Sequence, residues 1–137
     1  MKSLVIANWK MNPKTLSEAK KLFNSVKRGL KKIKNIEIVI CPPFVWLPYL
    51  LKPKPYLPAT RLRLKRWQAG TLSPKFGAQN CFWEGKGAFT SEISPIMLKD
   101  LDCQYVILGH SERRTYFSET DEMINKKIKA AISAKLN

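Results

Sequence analysis

Two short polar groups follow apolar runs and carry residue types from which an acid–base site can be built. Asn8 and Lys10 come after the apolar run Leu4–Ala7, and His110, the only histidine, comes after Val106-Ile-Leu-Gly109. In extended backbone, Asn8 and Lys10 point to the same side of a strand, because side chains alternate. An amide beside an ammonium suits a ligand that has a carbonyl oxygen and a phosphate. A polar strand end that only meets solvent is the alternative, and spacing leaves both interpretations open.

His110 lies between an apolar run and a predicted helical turn that begins at Ser111. The positive end of a helix dipole disfavours an imidazolium, so a neutral ring is expected there. A neutral imidazole can polarise a substrate carbonyl and move protons. A histidine that only makes a structural hydrogen bond is the alternative. Glu112 would either pair with Lys10 across the strand ends or serve only as a first-turn acid favoured by the dipole.

Composition indicates a globular chain with a strong positive charge. The 137 residues are 45% hydrophobic, and 25 Lys and Arg against 10 Asp and Glu give a formal net charge of +15. A chain of this length can form one domain with a core of its own. The charge favours an anionic partner, such as a phosphorylated metabolite, nucleic acid or a membrane surface, without choosing among them.

Cysteine usage and hydropathy predict a soluble cytoplasmic protein without a metal site. Cys41, Cys81 and Cys103 are odd in number and form no CxxC pair, and the single histidine cannot complete a zinc site with them. No secretory h-region is evident near the N-terminus. No run approaches the ~20 apolar residues of a membrane span.

Four strand–helix pairs are predicted to position these residues, in an α/β fold. Strands are predicted at Leu4–Ala7 (fully buried), Ile36–Cys41, Phe76–Asn80 and Gln104–Leu108. Helices are predicted from the capping box Thr15-x-x-Glu18, at Phe44–Leu51, at Pro95–Leu101 behind the cap Ser94, and from Ser118-x-x-Asp121. This alternation indicates a parallel sheet with helical crossovers.

Residues 52–75 interrupt the alternation. The tract holds seven Lys and Arg, four prolines and no acid, so we interpret it as a basic loop or insertion. A basic module that binds nucleic acid or acidic partners through this tract is an alternative function. Only Tyr56 and Trp67 offer aromatic stacking there, and no recognised nucleic-acid motif is present.

Five ordered motifs resemble those of triosephosphate isomerases. They are Asn8-Trp-Lys-Met-Asn12, Cys41-Pro-Pro-Phe44, Gly77-Ala-Gln-Asn80, Gly87-Ala-Phe-Thr90 and Val106-Ile-Leu-Gly-His-Ser-Glu-Arg-Arg114. The resemblance implies a (β/α)8 TIM barrel, of which residues 1–137 would be a single domain with the first four parallel βα units. It also implies a homodimeric enzyme of glycolysis and gluconeogenesis. Such an enzyme interconverts dihydroxyacetone phosphate and glyceraldehyde 3-phosphate by enediol proton transfer, without a cofactor.

The resemblance also implies roles for individual residues. Asn8 and Lys10 would bind the substrate, with the Lys10 charge near the phosphate and the developing enediolate. His110 would be the electrophile. Its neutral state is a known property of this family and does not follow from spacing. Glu112 would support Lys10 by pairing with it, and Gln79-Asn80 would lie near Lys10 at the floor of the site.

The chain departs from the family in length and in one loop. A barrel of this type has ~250 residues and eight strands, and the family's general-base glutamate, lid and phosphate loops follow the sixth strand. Because carbon deprotonation needs a positioned base, the chain alone is predicted to be inactive. Thr90 would reach into the partner subunit, and Ser91 stands where the family commonly has glycine. Open edges at both outer strands leave a third hypothesis, a self-associating half-barrel without catalysis.

Overall fold

The computed structural model describes residues 3–30, 33, 35–51 and 74–137. The strands are β1 (Ser3–Asn8), β2 (Ile36–Cys41), β3 (Lys75–Ala78) and β4 (Tyr105–Val106). The helices are α1 (Leu16–Leu30), α2 (Leu47–Leu50), α3 (Pro95–Asp100), α4 (Ser111–Phe117) and α5 (Asp121–Ser133), with a 3-10 turn at Phe44–Trp46. The predicted basic tract at 52–75 lies outside the described residues up to residue 73.

These strands form one parallel sheet in the order β1-β2-β3-β4. The predicted α/β alternation with parallel crossovers is therefore confirmed. β1 pairs along its whole length with β2, from Ser3 opposite Ile36 to Asn8 opposite Cys41. Since the strands are parallel, their carboxyl ends lie at one edge of the sheet, where ligands bind in open α/β sheets. The polar residues that follow β1, β3 and β4 are thereby brought to the same edge.

The prediction that the first strand is fully buried is wrong. Leu4, Val5 and Ile6 are 50%, 48% and 47% exposed. β1 forms one margin of the sheet, and among the described strands only β2 pairs with it. An apolar run shows that a strand can be covered on both faces, but its actual burial depends on neighbours that the run does not specify.

The first crossover helix begins where the sequence predicts it. The Glu18 N–H donates to Thr15 Oγ1 at 3.2 Å, and the Thr15 N–H donates to the Glu18 carboxylate at 3.3 Å, which completes the capping box. Further along α1, the Phe23 ring packs on the Phe76 ring of β3 with centroids 5.3 Å apart. Through this contact, the apolar face of α1 packs against the sheet.

The core lies between the sheet and the helices. Its buried cluster consists of Leu47, Leu50, Phe76, Ala78, Cys81, Leu98, Cys103, Ala131 and Leu136. Full burial of a leucine or phenylalanine side chain contributes about 1.5–3 kcal/mol. This core holds β3 and β4 against α2, α3 and α5, and so fixes the strand ends that carry the polar residues.

Helix caps agree with prediction at α3 and differ at α5. Ser94 caps α3, because its Oγ accepts from the Met97 N–H at 3.2 Å. The prediction that Ser118 caps the last helix is wrong. Thr120 caps α5, because its Oγ1 accepts from the Met123 N–H at 3.3 Å. Ser118 instead ends α4 in the left-handed conformation, with φ 51°. The predicted turn after His110 extends into a full helix, and this moves the next cap by two residues.

Other boundaries shift by a few residues. β3 covers Lys75–Ala78 where Phe76–Asn80 is predicted, so Lys75 belongs to the strand and pairs with Glu37 at 2.9 Å. The predicted helix over 44–51 divides into the 3-10 turn and α2. Both differences occur at element ends, where hydrogen bonding to neighbouring segments decides the boundary.

β4 is shorter than the predicted Gln104–Leu108, because only Tyr105 and Val106 have ladder partners in β3. On its opposite edge, the Val106 N–H donates to the Asn137 carbonyl and the Asn137 N–H donates to the Gln104 carbonyl, both at 2.9 Å. Asn137 therefore lies alongside β4. The edge that was expected to be open is partly paired.

Candidate active site

Lys10 leaves β1 in a left-handed backbone conformation, with φ 52°. The prediction that Asn8 and Lys10 project from one extended strand is therefore wrong, because β1 ends at Asn8. Asn8 Oδ1 accepts a hydrogen bond from the Lys10 N–H at 2.9 Å, which closes a local turn. Side-chain bonding to the backbone competes here with strand extension, and it turns the lysine out of the strand.

Gln79 holds the backbone of Lys10 from the neighbouring strands. Its Nε2 donates to the Lys10 carbonyl at 2.9 Å and to the Cys41 carbonyl at 2.8 Å. The Trp9 N–H also donates to the Cys41 carbonyl, at 3.0 Å. One side-chain amide after β3 thus ties together the ends of β1 and β2.

The ammonium of Lys10 pairs with Glu112 of α4. Lys10 Nζ lies 2.6 Å from Glu112 Oε1, so the predicted contact across the strand ends is present. The hydrogen bond from Lys10 lowers the pKa of Glu112 below its usual value. Both side chains are exposed, so solvent screens the attraction. The pair therefore serves to orient the ammonium more than to stabilise the fold.

His110 caps α4 with its own ring. Nδ1 accepts a hydrogen bond from the Glu112 N–H at 3.2 Å. Because Nδ1 is the acceptor, a neutral ring carries its proton on Nε2 and can donate from that side. The preceding Gly109 has φ 67°, a conformation that favours glycine, and this turn leads the chain from β4 into the cap.

Sequence patterns did not predict a buried ion cluster, which includes Asn80 and Arg113, the chain neighbours of Gln79 and Glu112. Lys127 Nζ donates to Asn80 Oδ1 at 3.0 Å and to Glu119 Oε1, which also accepts from Arg113 Nε at 3.2 Å. Lys127 and Glu119 are only 2% and 4% exposed. One signal was available: Lys127 lies three residues after Ile124 and so falls on the apolar face of α5.

The charges in this cluster depend on each other. Burial by itself would raise the pKa of Glu119, but hydrogen bonds from Lys127 and Arg113 outweigh that effect and leave the pKa lowered. Asn80, which was expected beside Lys10, directs its side-chain oxygen to Lys127 instead. Its neighbour Gln79 alone makes the predicted contact with Lys10.

Comparison with known proteins identifies the family of this chain. The family model for triosephosphate isomerase matches residues 3–137. The chain belongs to the triosephosphate isomerase family. It is 53% identical to the triosephosphate isomerase of Dehalococcoides mccartyi (strain BAV1) over 137 residues, which are 99% of this chain and 47% of that protein. It is 49% identical to the enzyme of Dictyoglomus thermophilum over 132 residues, which are 96% of this chain and 47% of that protein.

A solved structure supports the same relationship at the level of the fold. Triosephosphate isomerase from Bartonella henselae superposes with a TM-score of 0.72 at 29% identity, over 99% of this chain and 49% of that one. The four parallel strands are therefore half of a triosephosphate isomerase-type (β/α)8 barrel. The chain spans about half the length of the curated relatives it matches.

The loop that carries Thr90 in this triosephosphate isomerase half-barrel is exposed at its far end. Phe82 stacks on Trp83 with ring centroids 4.0 Å apart and lies 4.8 Å from Phe89. Thr90 is exposed beside this aromatic group. Ser91 has φ 74°, a left-handed conformation that glycine adopts at lower cost. This explains in physical terms why a glycine suits the position.

The described part of the chain shows neither a metal cluster nor a membrane span. Residues 3–30, 33, 35–51 and 74–137 contain no group of three or more His, Cys, Asp and Glu that could hold a metal ion. Within those same ranges, no helix has the length and apolar character needed to cross a membrane.

Proposed function

We propose that this chain provides the electrophilic part of a triosephosphate isomerase site, which interconverts dihydroxyacetone phosphate and glyceraldehyde 3-phosphate. The observation that carries the proposal is the placement of two groups at one sheet edge. The Lys10 ammonium is held by Glu112 at 2.6 Å, and the His110 ring accepts through Nδ1, which leaves Nε2 to donate. A cation and an N–H donor are what a substrate with a phosphate and a carbonyl oxygen requires.

In the proposed reaction, His110 Nε2–H donates to the carbonyl oxygen of the triose. A base removes a proton from the adjacent carbon, and the enediolate that forms is stabilised by His110 and by the positive charge of Lys10. The imidazole moves a proton between the two oxygens, and the base returns its proton to the neighbouring carbon. Asn8 uses Oδ1 to accept from the Lys10 N–H, so its amide N–H group remains to donate to the substrate.

Neither Glu112 nor Glu119 is suited to be the carbon base in this reaction. Glu112 pairs with Lys10 and has a lowered pKa, and Glu119 is buried against two cations. A carboxylate with a lowered pKa is a weaker base. We therefore propose that the base is supplied from outside the described residues.

Substrate binding by Lys10 can be tested without catalysis. Titration calorimetry with dihydroxyacetone phosphate should give binding that weakens at least tenfold in Lys10→Met. Lys75→Met is the matched control, because it also removes a lysine–glutamate pair, at 2.9 Å, but at the amino ends of the strands. Equal weakening in both variants, or no binding by the unaltered chain, would contradict the proposal.

We further propose a cytoplasmic homodimer in which the loop with Thr90 contacts the partner subunit. The exposure of Thr90 and of the neighbouring Phe89, 43% exposed, supports this. The test is chemical cross-linking at Thr90→Cys, with Ser133→Cys on α5 as the exposed control position. Cross-links between copies from position 133 alone would refute the assignment.

A further inference from the structure

In the sequence, two residues of the buried ion cluster come directly after residues that hold Lys10. Asn80 follows Gln79 after β3, and Arg113 follows Glu112 on α4. Gln79 holds the Lys10 carbonyl at 2.9 Å, and Glu112 holds the Lys10 ammonium at 2.6 Å. Both ends of Lys10 are therefore held by residues whose immediate neighbours belong to the cluster.

Lys127 and Glu119 join those two neighbours to each other. Lys127 Nζ donates to Asn80 Oδ1 at 3.0 Å, and Glu119 Oε1 accepts from Arg113 Nε at 3.2 Å. Lys127 and Glu119 complete the link by their own ion pair. A continuous series of polar contacts thus runs from Asn80, after β3, through Lys127 of α5 and Glu119 to Arg113 in the first turn of α4.

Because Lys127 and Glu119 are buried, these contacts form a rigid connection between β3 and α4. A buried charge loses much of its hydration, so it tolerates only positions in which its partner stays in contact. Glu119 Oε2 is buried without a hydrogen-bond partner among the described residues, so the carboxylate depends entirely on the cations at Oε1. Movement of β3 relative to α4 would break one of these contacts.

We propose that Lys127 and Glu119 are positioning residues, which hold Lys10 and His110 in register by fixing β3 to α4. They touch neither proposed substrate group and act through Asn80 and Arg113. The consequence of this inference for ligand binding rests on the proposed function of Lys10.

The single histidine gives a direct measurement of this effect. A chain labelled with nitrogen-15 histidine contains one labelled imidazole, so the Nδ1 and Nε2 chemical shifts in its NMR spectrum report only on His110. At a pH at which the ring is uncharged, these shifts in the unaltered chain should show the proton on Nε2, because Nδ1 accepts from the Glu112 N–H. In Lys127→Met we expect loss of that single form, with the two nitrogen shifts moving toward their average. Phosphate affinity, measured with inorganic phosphate, should fall at least fivefold.

Two further variants keep the test decisive. Asn80→Ala cuts only the link to β3 and leaves the Lys127–Glu119 pair intact, so it provides the answer if Lys127→Met does not fold. Lys75→Met removes a lysine–glutamate pair far from the site and should leave both readouts unchanged. If folded Asn80→Ala and folded Lys127→Met both give the same histidine shifts and the same phosphate affinity as Lys75→Met, the inference is overturned. Absence of phosphate binding in the unaltered chain would instead count against the proposed function, and the histidine shifts would still decide the positioning role.

Discussion

Lys10 is held at both ends, and this determines what its charge can do. Gln79 fixes its carbonyl and Glu112 fixes its ammonium, while its own backbone is left-handed. A flexible lysine would lose more side-chain entropy on meeting an anion than one that is already oriented. Preorganisation of this kind suits a group that must stabilise charge as it develops.

The three cysteines show the opposite case, reactive groups that are made inert by their environment. Burial is the main reason that the pKa of Cys41 is raised to about 12 and the pKa values of Cys81 and Cys103 to about 11. The thiolate is the nucleophile, so these thiols should not react with a disulfide reagent at pH 8 in the folded chain. The same assay in urea should release all three, and fast reaction of the folded chain would contradict this.

The cysteines also predict how stability depends on pH. Their pKa values in the folded state lie above the ordinary 9.0, so the unfolded chain loses its thiol protons first as pH rises. With fewer protons bound in the unfolded state, the free energy of unfolding should fall as pH increases above about 9. Urea unfolding at pH 8 and pH 10, repeated with Cys41→Ala, measures this contribution. An unchanged pH slope in the variant would assign the effect elsewhere.

Helices α4 and α5 show how a cap sets an element's position. Thr120 rather than Ser118 starts α5, and α5 in turn carries Lys127 into the buried cluster. Sequence spacing predicts Ser118 as the cap, because it stands three residues before Asp121. The structure differs, since a left-handed turn at Ser118 ends α4 and leaves Thr120 in extended backbone at the start of α5.

Removal of the α5 cap should therefore be measurable. Thr120→Ala takes away the acceptor for the Met123 N–H and should reduce the free energy of unfolding by about 1 kcal/mol. Ser118→Ala is the control and should cost clearly less, because no N–H of α5 depends on its hydroxyl. If both variants lose the same free energy of unfolding in urea denaturation, Ser118 is indicated as the cap and the prediction is contradicted.

At the scale of the fold, the described residues form half of a barrel, and the sequence predicts its features to different degrees. The alternation of elements, the capping box at Thr15 and the sheet edge shared by Lys10 and His110 follow from local pattern. The exposure of β1, the position of Asn137 beside β4 and the Lys127–Glu119 cluster do not. These features depend on which segments approach each other in space, and a sequence pattern carries no distances between distant residues.

The 137-residue chain is predicted to lack isomerase activity. Glu112 and Glu119 are each occupied by cations, so neither is a suitable carbon base. Without a positioned base, the coupled isomerase assay should give no rate above buffer. A turnover that disappears in His110→Ala would contradict the prediction, whereas a rate unaffected by that substitution would indicate a contaminating enzyme.

The exposed margin at β1 predicts association of the isolated chain. Leu4, Val5 and Ile6 offer apolar side chains and a backbone edge that no second described strand pairs with, a combination that favours edge-to-edge contact. Light-scattering mass should rise with protein concentration and fall in Ile6→Lys. Ile132→Lys, at an exposed apolar residue of α5, is the control and should change the mass less.

The sequence by itself determined the family, the order of strands and helices, and the residue types at the site. These properties are local, because motifs, caps and hydrophobic periods act over a few residues. Tertiary structure alone decided that Lys10 turns out of its strand, and that Lys127 and Glu119 connect β3 to α4. The link from Lys127 to Asn80 joins residues 47 positions apart. Only the packing of helices on the parallel sheet brings such residues together.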